Sequence, residues 1–393
     1  MSMLKYFTAD YVLPVSTAPI PKGVVVMNDI GEVVALYPHN HAEVVGKPIQ
    51  QFKGILVPGF INTHCHLELA HLKGQLKKKS GLIEFIKGVV SLRNFDEAEI
   101  HAAMEKADEE MYANGIVAVG DISNTLISRS LKEKSKFFYH TFIELIGIHP
   151  ERAKAIFDAG KELKEAFDEQ SVSITPHAPY SVSKELVRLI EHYCKHRPNL
   201  FSIHNQESDE ENEFYRYKTG KFLDLFDFFK QDITFLKPQA RNSLQHFFPS
   251  FPKNQRILLV HNTYTSAKDL YFVKRFPQEV FWCFCPKANL YIENRLPKVD
   301  LFLQDHFKVT LGTDSYASND SLCILSEIKT LHEHFPHLQL TDTIKWATLN
   351  GAQYLGLDTC LGTLEKGKQP GLNLIMYTHE LSLTPSSTVK KLV

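Results

Sequence analysis

Nine residues, Pro58-Gly59-Phe60-Ile61-Asn62-Thr63-His64-Cys65-His66, constrain the chain more than any other stretch. An apolar run, Ile55 to Val57 and then Phe60 and Ile61, stops at two histidines separated by one residue. Alternate residues of a strand share a face, so His64 and His66 would point together into whatever the strand lines. Two imidazoles converging at the end of a buried strand are half of a metal site. With 19 histidines in 393 residues, roughly one such pair is expected by chance. Three occur, but His39 and His41 lie in a polar stretch without an apolar run before it. His332 and His334 fall in a helical pattern, where residues two apart do not face each other.

The middle of the chain alternates apolar runs with amphipathic stretches, as a parallel α/β barrel requires. The strands expected are Ile55 to Thr63, Ile116 to Asp121, Phe137 to Leu145, Val172 to Pro176, Phe201 to His204, Ile257 to His261, Val280 to Cys285 and Lys308 to Gly312. Helical stretches between them include Glu97 to Asn114, Arg152 to Phe167, Lys184 to Lys195, Lys268 to Phe276 and Leu322 to His334. Eight such strands match a (β/α)8 TIM barrel, here assigned to residues 58–355. Residues 206–256, rich in Phe and Tyr, exceed what one helix needs and read as an insertion over the barrel mouth, a candidate lid. Residues 1–57 and 356–393 read as short strands, so the two termini are expected to meet in one small β-sandwich.

Charge is balanced, with 44 basic and 45 acidic residues, which gives no reason to expect nucleic acid or an anionic membrane as partner. The six cysteines show no C-x-x-C spacing, and no apolar run is long enough to span a bilayer. The amino terminus lacks the apolar core of a signal peptide, so a reducing cytoplasm is the expected setting. A small-molecule substrate is the expected partner, and a homodimer is compatible with the sequence.

In a barrel enzyme the chemistry sits at the carboxyl ends of the strands. Here those ends read His64-Cys65-His66, Thr175-Pro176-His177-Ala178-Pro179-Tyr180, His204-Asn205-Gln206-Glu207, His261-Asn262 and Gly312-Thr313-Asp314. Histidine or aspartate at five of eight corresponding ends points to one shared metal site rather than to unrelated packing residues.

The segments PGFINTHCH, PHAPYSVS, HNQES, LVHN, CPKANLYI and LGTDS, in that order, resemble the amidohydrolase superfamily. The likeness is to its deaminase and chlorohydrolase branch, around S-adenosylhomocysteine, guanine and cytosine deaminases. It implies one divalent ion, zinc or alternatively iron, held by His64, His66, His204 and Asp314, with His261 beside it. Hydroxide generated at the metal would attack an aminated heterocycle and release ammonia. Asp314 would accept the water's proton, Glu207 would shuttle protons to the ring nitrogen and the leaving amine, and His261 would stabilise the intermediate. Glu207 also opens an acidic run with Asp209, Glu210, Glu211 and Glu213, the pattern of a solvated helix face. The strand-four end carries no lysine, which favours one metal over two.

The same likeness suggests His177, Tyr180 and Glu84 as substrate contacts, Glu84 on ribose hydroxyls. The run His66-Leu67-Glu68 is similar to that of aminodeoxyfutalosine deaminases, and it adds Glu68. The substrate expected is a purine nucleoside, either aminodeoxyfutalosine or another adenosine derivative. A free-base deaminase of guanine-like or pterin-like substrates, and a dechlorinase or amidase with the same metal, are the alternatives.

Overall fold

Two four-stranded parallel sheets carry the fold, in a computed structural model that describes residues 3–92, 95–168, 171–305 and 307–393. The first sheet runs in sequence order through Phe60–Cys65, Ile116–Ser123, Phe138–Leu145 and Ser171–Pro176. The second runs through Leu200–Asn205, Arg256–His261, Glu279–Phe284 and Lys308–Leu311. These are the first to eighth parallel strands below. Strands covered on both faces need continuous apolar runs, and Ile257, Leu258, Leu259 and Val260 are all fully buried.

The two sheets touch at both edges. Between the fourth and fifth strands, Ser202 N donates to Thr175 Oγ1 (2.9 Å) and His204 N to the His177 carbonyl (2.9 Å). Between the eighth and first, Thr313 N and Asp314 N both donate to the His64 carbonyl (3.1 Å each). Gly312 is needed at this second seam. A Cβ there would stand 2.8 Å from His64 Cβ and 2.9 Å from the His64 oxygen, so only glycine lets the strands close on each other.

The expected strand Ile55 to Thr63 is in fact two strands in different sheets. Ile55–Pro58 pairs antiparallel with Leu372–Met376 and parallel with Tyr11–Val12, whereas Phe60–Cys65 pairs with Ile116–Ser123. Gly59 makes the break: a Cβ would lie 2.3 Å from Val117 Cγ1 and 2.6 Å from the Pro370 carbonyl. The apolar pattern runs straight through, because both halves are buried. Strands from the two termini form a four-stranded and a five-stranded sheet. Phe7, Val12, Val25, Leu56, Leu372 and Leu374 share one apolar cluster drawn from both sheets.

Helices fall where the amphipathic pattern placed them, as at Glu97–Ala113, Lys184–Cys194 and Ile324–His334. Asp96 caps the first by accepting from Ala98 N, and Ser183 caps the second by accepting from Leu186 N. The stretch 206–256 folds as helices Asp209–Tyr217, Phe222–Phe228 and Ser243–Phe247. Phe214, Phe222 and Phe226 pack ring on ring, and Phe222 also stacks on Tyr180 (4.7 Å). That contact fixes the insertion to the segment after the fourth strand. Among the described residues no helix is long and apolar enough to cross a membrane.

Candidate active site

His64 sits one residue from the end of the buried first strand, His66 just follows that strand, and His204 sits one residue from the end of the fifth. Their Nε2 atoms converge, His66 standing 3.1 Å from His64 and 3.3 Å from His204. Asp314 Oδ1 lies 3.7 Å from His64 Nε2 and 3.6 Å from His66 Nε2, while Ser318 Oγ donates to Asp314 Oδ2. Burial drives the pKa of His66 down to about 3 and those of His64 and His204 well below the ordinary value. All three rings are therefore neutral. His204 Nδ1 donates to the His177 carbonyl (2.9 Å), which leaves its Nε2 with a lone pair aimed at the cluster. Three imidazole nitrogens and a carboxylate oxygen facing one another at these distances fit a divalent cation, which would turn mutual repulsion into ligation.

Beside this cluster stand His261 and Glu207. Nδ1 of His261 bonds the Asn289 side-chain oxygen (2.9 Å), and its Nε2 lies 3.6 Å from Glu207 Oε1. Burial, then the nearby Asp314 charge, raises the Glu207 pKa well above the usual carboxylate range. A carboxyl so placed holds its proton more tightly than an exposed one and can donate it. Four non-glycine residues here, Gln206, His261, Asn262 and Asp314, have positive φ (46°, 72°, 57° and 55°). Such strain persists only where surrounding bonds over-determine it.

Glu211 supplies some of those bonds. Its two carboxylate oxygens accept from Gln206 N and Glu207 N, at 3.3 Å each. Gln206 is also held through its side chain by Thr265 Oγ1 (2.8 Å) and Asn212 (3.0 Å). The solvated-face reading of the acidic run thus holds for Asp209 and Glu213, which are exposed, and fails for Glu207 and Glu211, which are buried. The two are one helical turn apart, a spacing the run itself contained.

The remaining candidates divide. The His177 ring lies 4.7 Å from that of His204 and bonds Ser181 Oγ (2.6 Å). Tyr180 is buried beside it, 5.8 Å ring to ring. Glu68 is half-buried with its pKa raised by desolvation, accepting from Asn124 N (3.2 Å) and Ser128 Oγ (3.3 Å). Asn124 Nδ2 in turn donates to Glu144 Oε2 (3.2 Å), and Glu144 Oε1 stands 3.7 Å from His204 Nδ1. Glu144, His177 and His204 form a second set of convergent ligand atoms. Sequence reading missed Glu144, although a carboxylate at the end of the third strand, in Phe142-Ile143-Glu144-Leu145, repeats the signal that marked the histidines. It also missed Asn289, Ser318 and Glu211. Glu84 is not brought in: its carboxylate is 62% exposed and pairs with Lys87 (3.0 Å).

From His177 and Tyr180 a pocket of about 440 Å³ extends outward, walled by Ile86, Val90, Ile148, Leu225, Phe226 and Phe229, among others. Two of these come from the helix that carries Glu84 and three from the insertion or its edge.

The amidohydrolase family pattern matches residues 55–393. The chain belongs to the amidohydrolase family. It is 27% identical over 367 residues to an adenosine deaminase of Helicobacter pylori, covering 91% of this chain and 86% of the relative. The crystal structure of Helicobacter pylori aminofutalosine deaminase bound to methylthio-coformycin superimposes with a TM-score of 0.81 at 25% identity, covering 97% of this chain and 93% of that one. A zinc-bound adenosine deaminase from Xanthomonas campestris gives a TM-score of 0.73 at 20% identity, with 94% and 84% covered. At that identity the likeness concerns the fold. This amidohydrolase therefore has the α/β fold of its family.

Proposed function

We propose that the protein is a metal-dependent deaminase of adenine nucleosides altered at the 5′ position, with aminodeoxyfutalosine-type compounds included. In this reading the eight parallel strands close into a (β/α)8 barrel, and the terminal sheets form a β-sandwich against it. His64, His66, His204 and Asp314 would hold one divalent ion, with zinc favoured by the donor set. When bound, such an ion activates water at neutral pH.

The observation that carries the proposal is Glu207, a buried carboxyl with a raised pKa facing a neutral His261 and the converged imidazoles. Replacing an amino group on an aromatic ring by oxygen needs a proton on the ring nitrogen and another on the departing amine. Glu207 can deliver both in turn, recovering a proton from water between them. His261, its Nδ1 engaged by Asn289, offers Nε2 as an acceptor that orients the attacking oxygen. Asp314, held by Ser318, is the second carboxylate of the site and takes the first proton from water.

The 5′ assignment rests on the mainly apolar pocket beyond His177 and Tyr180, together with the named activities of the relatives. His177 lies between the imidazole cluster and that pocket, where a ribose would sit, so His177 is the proposed sugar contact. The half-buried Glu68 and buried Glu144, bridged by Asn124, are the proposed anchors on the near side. Ammonia release from adenosine, 5′-deoxyadenosine, methylthioadenosine and free adenine, measured on metal-replete protein, tests the reading. The 5′-modified nucleosides should give the highest kcat/KM. Preference for free adenine would overturn the nucleoside assignment, and release of no ammonia from any aminated heterocycle would overturn the deaminase.

A further inference from the structure

The amino ends of the fourth to seventh strands, at Ser171, Leu200, Arg256 and Glu279, open into a cavity of about 820 Å³, remote from the histidine cluster. Its rim is cationic. Lys195, His196 and Arg197 come from the loop before the fifth strand, and Lys253 from the loop before the sixth. Glu279 is the single carboxylate among the described lining residues, and it is already engaged by Lys308 (2.6 Å) and approached by Arg256 (3.9 Å). Lys195, Arg197 and Lys253 make no ion pair among the described residues. An adjoining recess shares Lys195, His196 and Lys253 and adds Arg188 and Glu191.

The rim is also pre-organised. Gln255 is buried, and its amide donates to the Cys194 and Arg197 carbonyls (2.8 and 2.9 Å) while accepting from Asn199 N (3.1 Å). Asn254 Nδ2 donates to the Lys195 carbonyl (3.1 Å). These bonds tie the two cation-bearing loops to each other. The floor is polar and uncharged: His140 bonds Ser171 Oγ (2.7 Å) and Ser173 Oγ (2.9 Å), and burial holds its pKa at about 3. Stability does not explain the arrangement. Among the described residues the rim carries more cations than carboxylates, an excess that weakens the folded state by self-repulsion, although the chain as a whole carries a net charge of −1.

We infer that this cavity binds a small polyphosphate, free or as part of a nucleotide. Lys195, Arg197 and Lys253 supply charge-assisted donors that match phosphate oxygens, and the volume lies in the range of small-molecule sites. Pro198 and Leu355 give an apolar wall on which a nucleoside can rest.

The test is calorimetric titration of inorganic pyrophosphate, and separately ADP, into metal-replete protein at low salt. Saturable one-site binding of pyrophosphate is expected, weakened about tenfold or more in Lys195→Ala/Lys253→Ala, with unchanged catalytic turnover. Tighter binding of ADP than of pyrophosphate identifies a nucleotide, and equal binding identifies the phosphates alone. Both lysines are exposed, so the double variant should fold, and circular dichroism checks this. Lys195→Glu, a single change, should abolish binding outright. Absence of saturable binding would overturn the inference. Equal affinity in wild type and double variant would overturn it too, since anion capture by the catalytic metal would survive the substitutions. Binding of RNA without binding of pyrophosphate would do the same.

Discussion

The two ends of the parallel strands carry opposite chemistries on one scaffold. At the carboxyl ends His64, His204 and His261 are buried, His66 is nearly so and all four are neutral, and the carboxylates Glu207 and Asp314 sit among them. At the amino ends Lys195, Arg197 and Lys253 are exposed and charged. Desolvation explains the difference. A group out of water loses its charge unless paired, so a buried end concentrates lone pairs and held protons, while an exposed end keeps full charges. The first arrangement suits ligation and proton transfer, the second attraction of an anion.

The comparison breaks most sharply at the ligands. His204→Ala or Asp314→Asn should abolish metal binding and all measurable turnover while the chain stays folded. Elemental analysis, an ammonia assay and circular dichroism on the same preparation check this. Active wild-type protein with no transition metal would sink the metal reading.

Glu207→Gln comes next. It preserves size and hydrogen bonding but removes the exchangeable proton, so kcat should fall by ~10² to 10⁴ with metal content unchanged. Near-normal turnover would assign the proton transfer to another group.

Glu211→Gln sharpens the contrast between touching and positioning. It loses charge on the bonds to Gln206 N and Glu207 N, so kcat should fall by about tenfold with KM and metal held. The variant also has a pH signature. Burial pushes the Glu211 pKa to about 7, above its ordinary value of 4.5. A raised carboxyl pKa contributes stability below the unfolded value, and that contribution is lost as pH rises through the folded value. Wild-type Tm should therefore fall more than the variant's between about pH 5 and about pH 8. Parallel melting curves would show that Glu211 does not titrate in this window.

The smallest effect belongs to Glu84. Exposed and paired only with Lys87, it should tolerate Glu84→Ala with a change in kcat/KM of about twofold or less. A tenfold loss confined to nucleosides would return it to the ribose.

Much of this was written locally. Strand runs and the polar residues ending each strand follow from periodicity, because side chains on one face of a strand must share an environment. The histidine pairs illustrate the limit: His332 bonds Thr343 and His334 bonds the Thr330 carbonyl, ordinary helix contacts as their pattern foretold. Other features had no local mark. The break at Gly59 is hidden, since burial on both sides makes one apolar run of two strands. Glu207, Glu211 and Glu213 look alike in an acidic run, and only the fold decides which lose water, Glu211 beneath the Gln206 and Glu207 amides and Glu207 beside His261. Glu84 occupies a position that resemblance alone tied to substrate, yet its helix turns that carboxylate to solvent. The sequence by itself determined which residue types stand at each strand end, because backbone geometry there is periodic. Only the tertiary structure decided which of them meet and which keep their charge, because desolvation depends on neighbours brought from strands far apart in the chain.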